Sequence, residues 1–223
     1  MLSYTLPHLA GYVGRPPIAS DPLWQQVPPL QISAFRPEST SHRPVTVARL
    51  FHNQSTLFGL FEVQDRYVRC VHTTFGSRTH KDSCVELFLQ PKTDRGYFSF
   101  EINCGGAMTV LYVTDPTRLP DGFFKEFVWL SQAEAEPVVL QPSMPRVVDP
   151  EIETPVSWTL GFAIPVSVLE PYEGKIGLLA GQRWRANAFK CGDETSHPHW
   201  ASWSPVPELN FHLPAAFGSF HFG

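Results

Sequence analysis

The amino-acid sequence predicts an all-β protein, an antiparallel β-sandwich of jelly-roll type with a few short helical segments. Short segments rich in Val, Ile, Phe and Thr recur between clusters of Pro, Gly and Asp, a pattern typical of strands and turns. The chain also has 22 prolines in 223 residues, a frequency that would interrupt long helices. No linker, repeat or charge block divides the sequence, so we expect one domain over residues 1–223.

The strand-like segments can be assigned in chain order. They are residues 45–51, 56–65, 82–90, 97–106, 107–113, 158–165 and 182–190, of which 82–90, 97–106 and 182–190 are expected to share a sheet. Residues 52–55 fit a hairpin turn between the first two segments. Residues 119–136 have the most helical composition, but Pro120 and Pro137 limit it to a short element. The proline-rich residues 136–156 are expected to form a long surface connection.

Charge and hydropathy exclude several classes of function. The 17 Lys and Arg residues against 21 Asp and Glu residues give a net charge of -4, so no basic field is present for a phosphate backbone. We therefore expect neither nucleic acid nor a membrane surface as a partner. The sequence has no signal-peptide pattern and no apolar run of about 18 residues, which predicts a cytoplasmic protein.

Polar side chains interrupt the apolar alternation of three predicted strands. In 82–90 and 97–106, alternate apolar residues share one face, which leaves acids and amides on the other. Segment 182–190 repeats this pattern. The default interpretation is a solvated outer face of a sheet. The mixture of acids, amides and a guanidinium also suits a neutral, polyhydroxylated ligand, because these groups accept and donate hydrogen bonds to hydroxyls. The residues on this face are Glu86, Glu101, Asn103, Arg185 and Asn187.

Aromatic residues follow the third of these strands in the sequence. Trp200, Trp203 and Phe211 are candidates for stacking against the apolar faces of a sugar ring. A tryptophan packs in a core more often than it forms a binding platform. The pattern therefore predicts a sugar-binding surface only in combination with the polar face.

Two other chemistries remain open on the same residues. Glu86 and Glu101, which face the same way, could form the acid pair of a glycosidase, and this is the first alternative to binding alone. Cys191, His197 and His199 lie within nine positions and could bind a metal, although their spacing matches no standard zinc pattern. We expect no metal site and no cofactor.

The cysteines, which form no CxxC pair, are expected to be free thiols; they are Cys70, Cys84, Cys104 and Cys191.

Four segments resemble the carbohydrate-binding module family 9-like proteins, which belong to a DOMON-like superfamily. They are DSCVELFL (82–89), FSFEINCGG (98–106), WRANAFKCGDETSHPHWASWSP (184–205) and NFHLPAAFGSF (210–220). The resemblance implies an antiparallel β-sandwich that holds a terminal sugar on a concave face, between two aromatic side chains and above polar ones. It also implies structural calcium. The same superfamily includes haem-binding domains with Met and His ligands, for which Met108 and Met144 are the candidates.

The resemblance assigns roles to particular residues. Glu86 matches a hydroxyl-binding glutamate, and Asn187 falls where a polar amide is expected. Phe211 falls near one of the two sandwiching tryptophans, and His80 lies near the place of the other. Glu101 stands at a position where the resemblance implies an arginine in sugar-binding members. We therefore expect non-catalytic binding of a sugar or glycan end, as in carbohydrate catabolism, with a carbohydrate-acting enzyme or a metal- or haem-binding sandwich as alternatives.

Overall fold

The computed structural model describes residues 1–223 and consists mainly of β-strands. The strands are β1 (Ser3–Leu6), β2 (Leu30–Ile32), β3 (Ala34–Phe35), β4 (Val45–His52), β5 (Thr56–Asp65), β6 (Val68–Cys70), β7 (Cys84–Gln90), β8 (Tyr97–Asn103), β9 (Met108–Arg118), β10 (Phe124–Trp129), β11 (Val139–Pro142), β12 (Val148–Ile152), β13 (Val156–Pro165), β14 (Arg183–Cys191), β15 (Trp200–Ser202) and β16 (Gly218–Phe222). Two α-helices are short, α1 (Gln132–Ala135) and α2 (Glu170–Glu173). Short 3-10 turns cover Pro22–Gln26, Thr79–Lys81, Val166–Val168 and Pro214–Ala216. None of the helices is long and apolar enough to cross a membrane.

Two sheets pack face to face around the core. The first has the strand order β1-β16-β14-β7-β8-β9-β10, with β15 and β3 added beside β14. The second has the order β11-β13-β5-β4-β2, and β12 pairs with β6 in a small ribbon. All pairings are antiparallel except that of β1 with β16. The fold is therefore the predicted all-β sandwich, and the segments 82–90, 97–106 and 182–190 do share a sheet.

The alternation along β7 and β8 decides which side chains enter the core. Leu87 and Phe100 belong to the main core cluster, together with Phe61 and Leu160 of the second sheet. The opposite face of the first sheet supports a smaller apolar layer, in which Phe88 and Phe189 pack against Phe211 and Phe217 from the segment 204–217. That segment covers only part of the outer face. The uncovered part is where the cleft described below opens.

A buried ion pair joins the two sheets at one end of the sandwich. The ammonium nitrogen of Lys190 on β14 lies 3.5 Å from the carboxylate of Asp65 on β5, and neither side chain is exposed. Lys190 also lies 2.7 Å from a ring nitrogen of His199, while Asp65 accepts hydrogen bonds from His42 and Trp158. Burial alone would raise the pKa of Asp65, but the charge of Lys190 and the bond from His42 outweigh it and hold that pKa well below its usual value.

The sequence missed strands in two segments. Residues 119–136, predicted to hold one short helical element, contain it as the single turn of α1 but also contain the strand β10, which was not predicted. Residues 136–156, predicted as a surface connection, contain β11 and β12. β10 pairs with β9 and β11 with β13, so hydrogen bonds to neighbouring strands override the local preferences. The hairpin predicted around residues 52–55 is confirmed, with β4 and β5 paired from His52 and Leu57 outward.

Candidate functional site

A cleft of about 980 Å3 opens on the outer face of the first sheet. Its floor is formed by side chains of β7, β8, β9 and β14, and its walls come from residues 76–80, the β9–β10 hairpin, and the loops around Asp193 and Phe211. Five of the residues that the sequence proposed for a binding site line it. They are His80, Glu86, Glu101, Trp200 and Phe211.

Two carboxyl groups face each other on the floor. Glu86 on β7 pairs in register with Glu101 on β8, and the two residues are only 3% and 7% exposed. Burial raises the pKa of Glu86 well above its usual value, and the nearby charge of Glu101 raises it further. Thr109, the partner of Glu101 on β9, adds a hydroxyl group to the same floor. The floor can therefore offer both donors and acceptors of hydrogen bonds.

His80 lies at the edge of this floor, with its imidazole beside the carboxylate of Glu101. Its Nδ1 is 3.4 Å from the Glu101 carboxylate, and its side chain is 39% exposed. The hydrogen bond with Glu101 raises the pKa of His80 above its usual value, against the opposing effect of burial. The 3-10 turn Thr79–Lys81 carries His80, and the Thr79 hydroxyl anchors that turn to the backbone carbonyl of Glu101. The sheet thus fixes the imidazole beside the acid.

Trp200 and Phe211 form one wall of the cleft. The indole N–H of Trp200 donates to the Asp193 carboxylate at 2.7 Å, which fixes the ring beside the floor. Burial raises the pKa of Asp193. Phe211 stacks on Phe189 with ring centroids 4.0 Å apart and is 9% exposed, so most of its surface is packed inside the protein.

The opposite wall consists of aromatic residues that the sequence analysis missed. Phe123 and Trp129 are 53% and 49% exposed, and both line the cleft with Phe127. The rings of Phe123 and Phe127 are nearly parallel at 6.1 Å. Because the sequence predicted a helical element within 119–136, these aromatic residues were not assigned to the site. The turn sequence Pro120-Asp121-Gly122, in which Gly122 has a φ of 87°, was the signal for a hairpin.

Two amides proposed for the site are buried in the protein instead. The amide of Asn187 donates to the backbone carbonyl of Ser204, and its oxygen accepts from the Ser204 N–H, both at 2.9 Å. It therefore attaches the covering segment 204–217 to the sheet. The amide of Asn103 donates to the carbonyl of His72 and to the carboxylate of Asp82. The strand alternation correctly places both on the outer face, but other parts of the chain cover that face there.

Arg185 and Trp203 also lie outside the cleft. The guanidinium of Arg185 donates to the backbone carbonyls of Pro214 and Ala215, so it holds the end of the covering segment. Trp203 packs against the main core and its ring lies 5.5 Å from that of Phe220. Neither side chain borders the open space.

The metal sites considered from the sequence do not form around the residues named for them. His199 bonds to Lys190 and to the carbonyl of His197, and His197 stacks on Tyr67, so these histidines and Cys191 are not a ligand group. For haem, both candidate methionines, Met108 and Met144, pack against the core.

Calcium takes about six to eight oxygen ligands, so several acids would have to converge on it. The sequence offers four acids for this role, Asp82, Glu86, Asp115 and Asp193, and they are engaged separately. Asp82 accepts bonds from the backbone N–H groups of residues 71 and 72, Asp115 from Lys125, and Asp193 from Trp200. Glu86 groups only with two cysteine sulfurs, which are poor calcium ligands. These residues do not fit a calcium site.

Comparisons with known proteins agree with the fold. Residues 23–222 match the family model described as Carbohydrate-binding family 9. The crystal structure of a candidate carbohydrate-binding protein from Bacteroides uniformis is 26% identical, covers 99% of both chains and has a TM-score of 0.87. A family 9 module from Caldicellulosiruptor kristjanssonii with bound glucose is 12% identical, with coverage of 100% of this chain and 96% of that one and a TM-score of 0.65. The complex of a Caldicellulosiruptor kristjanssonii family 9 module with cellotriose is 12% identical, with coverage of 99% of this chain and 93% of that one and a TM-score of 0.64. No curated protein matches the chain.

Proposed function

Because the chain belongs to carbohydrate-binding family 9, we propose that its cleft binds the end of a carbohydrate chain and does not cleave it. The observation that carries this proposal is a polar floor between two aromatic walls. Sugars have hydroxyl groups around the ring and apolar C–H groups on its faces, so they require both kinds of surface. The cleft provides the two together.

The floor suits hydroxyl groups because its two acids differ in environment. Burial raises the pKa of Glu86, which favours its protonated, hydrogen-bond-donating form, while the carboxylate of Glu101 lies beside His80 and accepts. A hydroxyl both donates and accepts, so it can bind to each of them. The cleft border carries Arg78 and Arg118 as well as Asp193, and this mixture of charges favours a neutral ligand over a charged one.

We propose that each of the two aromatic walls stacks against a different sugar unit of the ligand. Trp200 and Phe211 flank the floor, where the terminal sugar would lie. Phe123 and Trp129 are farther out and more exposed, and they would contact a second sugar unit. The cleft, at about 980 Å3, is large enough for more than one ring. We therefore propose an oligosaccharide rather than a monosaccharide as the ligand.

A second candidate function, glycoside hydrolysis, has one observation in its favour. Glu86 has a raised pKa and faces a second carboxylate, as the acid and its partner do in a glycosidase. Incubation with cellotriose and measurement of released reducing ends distinguishes the two functions. Binding without any release of reducing ends is expected, and turnover that Glu86→Gln abolishes would establish the enzyme.

The binding experiment uses glucose and cellotriose as probes in titration calorimetry. We expect cellotriose to bind more tightly than glucose, and Glu101→Gln to weaken it about ten-fold or more, since a hydrogen bond to a charged group contributes about 1.5–3 kcal/mol. The matched control is Glu62→Gln on β5, an acid in the other sheet that pairs with Arg49. The proposal fails if neither probe nor any glycan on an array binds, or if Glu101→Gln and Glu62→Gln bind equally well.

A further inference from the structure

Two cysteines face each other on the outer face of the first sheet beside the cleft, and an acid lies next to them. Cys84 on β7 pairs in register with Cys191 on β14, and Glu86, two residues further along β7, points to the same face. The two sulfur atoms and a carboxylate oxygen of Glu86 all lie within 4.8 Å of one another. All three residues are buried, and Cys191 and Glu86 border the open space.

The carboxyl group of Glu86 has no basic partner. Its hydrogen-bond donor is the thiol of Cys191, at 3.2 Å, and the charged side chains that influence it are the acids Glu101 and Asp193. A buried carboxyl group usually has a cation beside it or remains neutral. A divalent cation among these three side chains would take the place of the carboxyl proton and balance the charge of the carboxylate.

The donor atoms select the kind of cation. Two sulfurs and one carboxylate oxygen suit zinc, whereas calcium and magnesium prefer oxygen alone. Zinc–sulfur bonds of about 2.3 Å in a tetrahedron place two sulfurs about 3.7 Å apart, which the separations here allow. Three protein ligands leave a fourth position, and here it would face the cleft.

We infer that Cys84, Cys191 and Glu86 form a zinc site at the edge of the cleft floor, with Cys84 buried beneath it. In the absence of metal the thiols are protonated, since burial raises the pKa of Cys84 to about 11 and the hydrogen bond that Cys191 donates to Cys84, together with burial, raises the pKa of Cys191. Zinc would displace these protons and the proton of the Glu86 carboxyl group to solvent, as it does at other thiolate sites, and Glu86 would then bind the metal rather than donate to the sugar. The fourth ligand would be water or a hydroxyl group of the bound sugar.

The chain contains a matched control for this site. Cys70 and Cys104 are also buried, and their thiols donate to the backbone carbonyls of Arg146 and Arg69, but no acid or histidine completes a ligand group around them. A substitution there removes a buried thiol without touching the proposed site.

The test uses the reduced full-length protein, stripped with a chelator and then given zinc sulfate or calcium chloride alone. After desalting, metal analysis is expected to find one zinc ion per chain and no calcium, and cobalt in place of zinc should give a thiolate-to-metal charge-transfer band. Cys84→Ser and Cys191→Ser are each expected to weaken zinc binding more than about ten-fold, as even changes outside the ligand sphere can do. Cys70→Ser should retain zinc.

The inference is overturned if the reduced protein retains no zinc, or if the cobalt complex lacks the thiolate band, a measurement that requires no variant. It is also overturned if the Cys84→Ser/Cys191→Ser double variant, shown by circular dichroism to be folded, retains zinc as Cys70→Ser does. These readouts contain no sugar. A failure of zinc binding is therefore distinguishable from a failure of carbohydrate binding, which the calorimetry with cellotriose measures separately.

Discussion

Glu86 is a buried acid whose protonation should affect the stability of the protein. Its pKa is raised in the folded state, so the folded protein retains a proton that the unfolded chain loses above a pKa of about 4.5. The free energy of unfolding is therefore unaffected by this group below about pH 4.5, and it falls as the pH rises from there towards the pKa of Glu86 in the folded protein. The effect is a cost of burial, not a gain from pairing.

The substitution Glu86→Gln tests this statement. Glutamine resembles the protonated acid but cannot ionise, so the variant should lose less stability than the native protein as the pH rises. Melting temperatures from about pH 4 to pH 9, measured on metal-free protein, are expected to diverge in favour of the variant. Parallel melting curves across this range would show that Glu86 is not desolvated as the structure indicates.

At the scale of elements, the strands of the sandwich were predictable and the covering segments were not. The alternation in 82–90 and 97–106 correctly placed Glu86 and Glu101 on the outer face. Alternation cannot tell which part of an outer face another segment covers, and this is why Asn187, under Ser204, could not be separated from Glu86. The β9–β10 hairpin was missed because its pairing depends on a neighbouring strand rather than on local composition.

The two aromatic walls should respond differently to substitution. Trp129→Ala on the exposed hairpin should change the free energy of unfolding by less than about 0.5 kcal/mol but weaken cellotriose binding. Phe211→Ala should cost about 3–5 kcal/mol of stability, since its ring is stacked on Phe189 and mostly buried. Urea denaturation and calorimetry on both variants provide the check. Equal losses of stability would mean that the hairpin aromatics belong to the core.

At the scale of the whole molecule, the pair Lys190–Asp65 ties one sheet to the other. Asp65→Asn would leave the buried ammonium group without its countercharge, and we expect a loss of about 3–5 kcal/mol in the free energy of unfolding. Adding Lys190→Met removes that charge and should restore part of the loss. Urea denaturation of the native protein and both variants measures this. A double variant no more stable than Asp65→Asn would mean that hydrogen bonds, rather than the buried charge, account for the effect.

The pairing of β7 with β14 also determines when the binding surface exists during folding. These strands are adjacent in the sheet but separated in sequence by everything from Gln90 to Arg183. Closing so long a loop costs entropy before any contact is gained, so this pairing is expected to form late and slowly. Glu86 and Cys191 come from the two strands, and Trp200 follows the second. A chain that has collapsed but has not yet joined these strands lacks the β14 side of the cleft floor, and a slow phase in tryptophan fluorescence, to which Trp200 contributes, should report the moment at which it acquires that side.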